Sequence, residues 1–219
     1  MKPTPILTPT QLKFLDLFSQ SSLVADFYLT GGTALAGFYI PYRVSDDLDF
    51  FSEKEVDLFG VTVFLKSIKK DSGYQEIDVN TSFNRNIVFL RFEKYTLKTE
   101  FTYFPFVQIE KPGLYKNVKI DSPIDIAVNK LFTIYQKPRS RDFTDLYMLC
   151  KKKHFSIAGL LKMAKIKFDW HIDPLKLGSQ FLLVTELKDF PNLLVNLKER
   201  DWQGFFLKEA KSLGQDILC

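Results

Sequence analysis

Thr30-Gly31-Gly32-Thr33-Ala34-Leu35-Ala36 and, a few residues on, Arg43-Val44-Ser45-Asp46-Asp47-Leu48-Asp49-Phe50-Phe51 decide how this chain reads. A glycine pair closes an apolar run, so backbone N–H groups there can approach an anion with no Cβ in the way. If Asp47-Leu48-Asp49 is extended, both carboxylates face one side while Leu48 and Phe50 face the other. At strand rise the two aspartate Cα atoms stand roughly 6.6 Å apart. Two carboxylates so placed can share a divalent cation, typically Mg²⁺, together with substrate phosphates. A phosphate cradle followed by such an acid pair is the equipment of phosphoryl or nucleotidyl transfer. A lone Gly-Gly is usually a turn, and a lone Asp-x-Asp a solvated loop. Both in order, joined by a short helix and flanked by apolar residues, are a stronger signal.

Downstream, the hydrophobic period changes twice. Glu55 to Lys70 carries a helical stripe through Val56, Phe59, Val63, Phe64 and Ile68. Tyr74–Thr81, Ile87–Glu93 and Thr96–Phe104 alternate with period two, with turns at Asn84-Arg85-Asn86 and Glu93-Lys94, as antiparallel strands do. Upstream, Thr8-Pro9-Thr10 opens a helix, and Leu23–Leu29 reads as a short buried strand. Glu100 is an acid on a strand otherwise rich in apolar residues, two after Lys98. After Pro112-Gly113 the pattern is helical throughout. Asp121-Ser122-Pro123 starts a helix with the apolar stripe Ile124, Ala127, Val128, Leu131, Ile134 and Tyr135. Lys130 lies on the flank of that stripe, where a lysine either snorkels to water or reaches across a cleft. In Arg141-Asp142-Phe143-Thr144-Asp145-Leu146-Tyr147 the two aspartates stand three apart, and Arg141–Asp145 is an i,i+4 pair. Later amphipathic segments, near 157–166, 175–187 and 202–213, carry no legible chemistry.

Gly-Gly-Thr-Ala-Leu … Arg-x-Ser-x-Asp-Leu-Asp-Phe-Phe resembles the first motif of the AbiEii-type nucleotidyltransferases. These belong to the DNA polymerase β-like superfamily, and several are toxins of bacterial toxin–antitoxin systems. The lysine-bearing helix and Arg-Asp-x-x-Asp-Leu-Tyr continue the resemblance. Tyr42 stands where many relatives carry histidine. The resemblance implies an α+β fold: a nucleotidyltransferase-like mixed sheet with flanking helices over residues 1–118, then a helical domain over 119–219. The nucleotide is expected in the cleft between them. It further implies Asp47, Asp49 and Glu100 as metal ligands, the last also a candidate base. Gly31, Gly32 and Thr33 are expected to hold phosphate, and Ser45 to contact phosphate or support it. Lys130 would neutralise the leaving pyrophosphate, Arg43 would assist or clamp the loop, and Asp145 carries a site role. The expected cofactor is Mg²⁺ or Mn²⁺, the substrate an NTP, the acceptor RNA such as a tRNA end, and a further partner an antitoxin. Two alternatives stay open: an NTP-dependent kinase, or a transferase acting on small molecules or proteins. A non-catalytic nucleotide or RNA binder is a third, and the intact acid pair argues against it.

Composition narrows the rest. The chain has 219 residues, and 46% hydrophobic content supports a sizeable core. The 22 phenylalanines read first as core packing, with base stacking as an alternative that needs exposure. A net charge of +4 permits nucleic-acid contact without arguing for it. Two cysteines, Cys150 and Cys219, are too few for a disulfide framework, which suits a reducing cytoplasm. No apolar run is long enough to span a membrane. His154, His171 and the cysteines make no zinc pattern.

Overall fold

Phe50 marks the apolar face on which the alternation of neighbouring strands converges. In the computed structural model, which describes residues 1–215, the chain forms two units. One comprises Met1–Pro41 with Ser45–Ser122, the other Tyr42–Val44 with the residues from Pro123 onward.

The first unit is built on a seven-stranded mixed sheet. Its strands are β1 (Phe27–Thr30), β2 (Leu48–Ser52), β3 (Glu76–Ser82), β4 (Arg85–Arg91), β5 (Thr96–Tyr103), β6 (Gly113–Tyr115) and β7 (Val118–Ile120). They lie in the order β3-β4-β5-β2-β1-β7-β6. β2 pairs with β5, and β1 with β7, in parallel; the other neighbours are antiparallel. The register sets Leu29 beside Phe50 and Phe50 beside Phe101. That face meets helices α1 (Pro9–Phe18) and α3 (Leu58–Ser67). Phe18 and Phe50 have ring centroids 4.4 Å apart, Phe50 and Phe101 are stacked at 5.3 Å, and Phe14 and Phe64 meet edge to face at 5.9 Å. Such pairs add roughly 0.5–1.5 kcal/mol each beyond area burial. Phe14, Phe18, Phe50, Phe64 and Phe101 thus serve the core, whereas Phe59 and Phe83 are exposed.

α1 starts at a capping box: Thr8 Oγ1 accepts from Gln11 N, and Gln11 Oε1 accepts from Thr8 N. α2 (Gly31–Phe38) follows β1 with no intervening loop. Leu23–Leu29 is shorter as a strand than its composition predicts, because Ser22–Ala25 forms a 3₁₀ turn. The Glu55–Lys70 segment forms α3 and a one-turn helix α4 (Lys69–Ser72), closed by Gly73 at φ 86°. Its buried face is Val61, Phe64, Leu65 and Ile68, while Phe59 and Val63 of the expected stripe are exposed and Val56 precedes the helix. β6 and β7 are not expected from the sequence; three residues each give period two too little length to register.

The second unit contains α5 (Pro123–Gln136), α6 (Ser140–Lys153), α7 (Ile157–Phe168), α8 (Pro174–Leu182) and α9 (Glu199–Gln215). Phe143, Phe181 and Phe206 are fully buried and meet one another, with Phe143–Phe206 centroids 4.7 Å apart. Tyr42–Val44 joins this unit through backbone bonds: Val44 N donates to Asn192 O, and Leu194 N to Tyr42 O. Cys150 is a buried free thiol, and burial pushes its pKa up to about 12. Cys219 lies outside the described residues. No helix among them is long and apolar enough to cross a membrane.

Candidate active site

Opposite the phenylalanine core, the sheet turns a polar face outward. Period two along β2 and β5 places Asp49 and Glu100 on that face, and their register makes them direct neighbours. Asp47 precedes β2 by one residue, and Lys98 lies two before Glu100. Lys98 Nζ donates to Asp47 Oδ2 at 2.8 Å. On the far side of each strand Leu48 and Thr99 are fully buried, so the polarity of the pleat is fixed by the core.

The glycine bend lies against Asp49. Gly31 has φ 71°, a left-handed conformation that favours glycine. A Cβ there would sit 2.7 Å from Asp49 Oδ2, so the backbone and the carboxylate are in close approach. Gly32 is buried in the first turn of α2. Thr30, ahead of it, pairs in register with Asp49 and donates to Asp121 Oδ2 at 2.6 Å.

The loop between α2 and β2 is held from inside. Thr33 Oγ1 lies 2.8 Å from Ser45 Oγ and also bonds the Asp47 carbonyl oxygen. Gln11 Nε2 donates to the carbonyls of Ser45 and Asp46 at 2.8 and 3.0 Å. Thr33 is 1% exposed, so its hydroxyl anchors the loop carrying Asp47, where the sequence suggests a phosphate contact.

Glu100, expected as a third metal ligand, is bonded to Arg85 and Thr102. Three of its acceptor sites are used: Oε1 accepts from Arg85 Nε at 2.8 Å and from Thr102 Oγ1 at 2.6 Å, and Oε2 from Arg85 Nη2 at 2.6 Å. Burial alone would raise this carboxyl, but the bonds from Arg85 and Thr102 outweigh it and hold Glu100 below the usual range. Among the described residues no group of three or more His, Cys, Asp or Glu side chains is arranged to hold a metal. Asp47 and Asp49 remain as a two-carboxylate set. That fits Mg²⁺ or Mn²⁺, because magnesium is commonly held by one or two carboxylates with water and substrate phosphates completing the shell.

Lys130, Arg43 and Asp145 meet in the second unit, in a buried ionic network. Asp145 is wholly inaccessible and accepts from Arg43 Nε at 2.7 Å, Arg43 Nη2 at 2.9 Å and the Tyr42 hydroxyl at 2.5 Å. Lys130 Nζ lies 2.7 Å from both Asp145 Oδ2 and Asp142 Oδ1, and Arg139 Nε bonds Asp142 Oδ2 at 2.7 Å. Burial would raise both aspartates; the lysine and arginines overcome it and hold them below the ordinary range. Burial would likewise lower Lys130, yet Asp142 and Asp145 keep it raised and charged. Lys130, expected to reach a triphosphate, has its ammonium between two buried carboxylates, Asp142 and Asp145. Arg43, expected to assist at the phosphates or clamp the loop, bonds Asp145 and the Val44 carbonyl.

Arg85, Gln11, Thr30 and Asp121 are site neighbours that the sequence alone does not reveal. Each depends on a contact distant in sequence, or on a register that only pairing fixes. Lys98 is visible as the residue two before Glu100, without its partner Asp47.

Comparison with known proteins gives these observations a family. Residues 13–213 match the family model described as nucleotidyl transferase AbiEii toxin of the type IV toxin–antitoxin systems. The chain belongs to this family of nucleotidyltransferases. It is 30% identical over 165 residues to an uncharacterized protein, aq_aa25, of Aquifex aeolicus (strain VF5), covering 74% of this chain and 76% of that one. In fold it is similar to JHP933 from Helicobacter pylori, with a TM-score of 0.58 at 23% identity, covering 96% of this chain and 94% of the other. A second H. pylori structure, crystallised as a candidate nucleotidyltransferase, has a TM-score of 0.59 at 23% identity, covering 96% and 97%.

Proposed function

We propose that this protein transfers a nucleoside monophosphate from an NTP to an acceptor, with Asp47 and Asp49 holding Mg²⁺ or Mn²⁺. The observation that carries the reading is the close approach of Gly31 to Asp49: a left-handed glycine bend opening a helix lies against the second acid of Asp47-Leu48-Asp49. Bound there, the cation would offset charge on the triphosphate and on the departing pyrophosphate. Gly31 and Gly32 would present N–H groups at the start of α2, where an anion is favoured. Thr33, Ser45 and Gln11 keep the Asp47 loop in place, so the acids need not reorganise when substrate arrives. Lys98 neutralises Asp47 before the cation enters.

RNA, such as a tRNA end, is the acceptor we infer. Residues 123–219 carry 16 Lys and Arg against 11 Asp and Glu, while residues 1–122 carry 14 against 15. The whole positive excess is thus in the helical part, where Lys151, Lys152, Lys153, Lys162 and Lys165 are exposed. Such charge favours a polyanion. The family description supports a toxin role and hence a cognate antitoxin.

Thermal unfolding with a nonhydrolysable NTP, with and without Mg²⁺, tests the reading. Stabilisation that requires the metal and is lost in Asp49→Asn supports an enzyme of this class. Stabilisation indifferent to both would identify a nucleotide binder.

A further inference from the structure

Arg85 lies across the strand pair from Glu100, and its contacts are those of a positioned group. Its Nε and one Nη2 hydrogen enter a two-point fork with the carboxylate, which Thr102 holds from the other side. A guanidinium has five N–H donors, so the fork leaves three for another ligand. The side chain is 58% exposed although its partner is 6% exposed, so these remaining donors are open to water. The bond gives little stability in return: a pair with one half in solvent contributes roughly 0–1 kcal/mol, against the cost of burying Glu100. What the fork does accomplish is to fix the plane of a guanidinium. Glu100 is the register neighbour of Asp49, and the Asp49 charge helps raise Arg85.

We propose that Arg85 binds the phosphate chain of the incoming nucleoside triphosphate, with Glu100 acting as its positioning residue and not as a metal ligand. This rests on the nucleotidyltransferase reading above. Arginine suits the task because its planar donors match non-bridging phosphate oxygens two at a time. Three of the four acceptor sites of Glu100 are already taken by Arg85 and Thr102, and among the described residues no three acids are grouped around one cation, so its carboxylate is committed to holding the guanidinium. The fork thus divides the labour of the polar face. Asp47 and Asp49 attend to the metal, and the Arg85–Glu100 pair attends to the phosphates the metal accompanies.

The test is a set of dissociation constants for a nonhydrolysable NTP and for the matching nucleoside, with and without Mn²⁺. Wild type, Arg85→Ala, Arg85→Lys, Glu100→Gln and Asp49→Asn are compared, each checked for folding by its thermal transition. Arg85→Ala is expected to weaken triphosphate binding roughly tenfold or more, as for a lost charge-assisted bond, whether or not Mn²⁺ is present, and to leave nucleoside binding unchanged. Arg85→Lys keeps the charge without the fork and should fall between. Glu100→Gln should follow Arg85→Ala, whereas Asp49→Asn should lose only the Mn²⁺-dependent part. Arg85→Ala binding the triphosphate as wild type does, or Glu100→Gln following Asp49→Asn, overturns the proposal. A wild-type protein that binds no triphosphate even with Mn²⁺ overturns the functional reading as well, so the two failures are told apart.

Discussion

Arg43 and Asp145 are joined by two parallel bonds, Nε to Oδ1 at 2.7 Å and Nη2 to Oδ2 at 2.9 Å, across 102 positions of sequence. Neither side chain is more than 6% exposed. This pair ties Tyr42–Val44 into the helical unit, and Lys130 shares the same carboxylate. Asp145→Ala would leave two buried cations without it. Breaking a buried pair by removing one partner typically costs about 3–5 kcal/mol. Urea unfolding should show a loss of that size, and wild-type stability in the variant would contradict the structural role.

The same network sets an acid limit. Asp142 and Asp145 titrate lower in the folded protein than when unfolded. Their contribution is therefore fully present above the unfolded carboxylate value, about 3.9, and is lost as pH falls below it toward the folded values. Lys130 is raised, so its contribution holds below its unfolded value and fades only in strong alkali. Thermal scans should be nearly flat in this contribution at neutral pH and fall below about pH 4. Asp142→Asn should show a shallower fall than wild type, from a lower starting stability.

Two glycines separate strain from contact. Gly73 has φ 86°, and a Cβ placed there would meet nothing within 4 Å, whereas Gly31 has φ 71° and the Asp49 carboxylate in the way. Alanine at either position costs roughly 1–2 kcal/mol for the left-handed backbone. Gly31→Ala alone should also displace Asp49 and abolish metal-dependent NTP binding. Equal effects of the two variants on binding would remove Gly31 from the site.

Phe50 touches Phe14, Phe18 and Phe101 and is fully buried. Phe50→Ala should destabilise the protein by about 3–5 kcal/mol in denaturant titration, as large core truncations do. A cost under about 1 kcal/mol would mean that the polar face is not fixed by the core behind it.

What was legible in the sequence followed from local rules. Asp47-Leu48-Asp49-Phe50 announces its own pleat, because period two assigns acids and apolar residues to opposite faces without knowledge of any partner. The start of α5 at Ser122-Pro123 and the stripe along it are equally local. The parallel partnership of β2 with β5 is not local, and it alone sets Asp49 beside Glu100. Arg85 reads as part of a turn; it becomes a partner of Glu100 only once β4 is folded onto β5. Lys130 shows the limit of a helical wheel. Its flank position suggests solvent or a ligand, but two aspartates from the next helix receive it.

Which phosphorus of the NTP moves is the question on which the proposed activity stands. The most direct measurement incubates the protein with Mg²⁺, total bacterial tRNA and NTPs labelled in parallel at the α or the γ position, with Asp49→Asn alongside. Nucleotidyl transfer at this site predicts that α-label enters RNA, that γ-label leaves as pyrophosphate, and that Asp49→Asn transfers neither. Transfer of γ-label would make the protein a kinase, and undiminished α-label transfer by Asp49→Asn would contradict the assigned site.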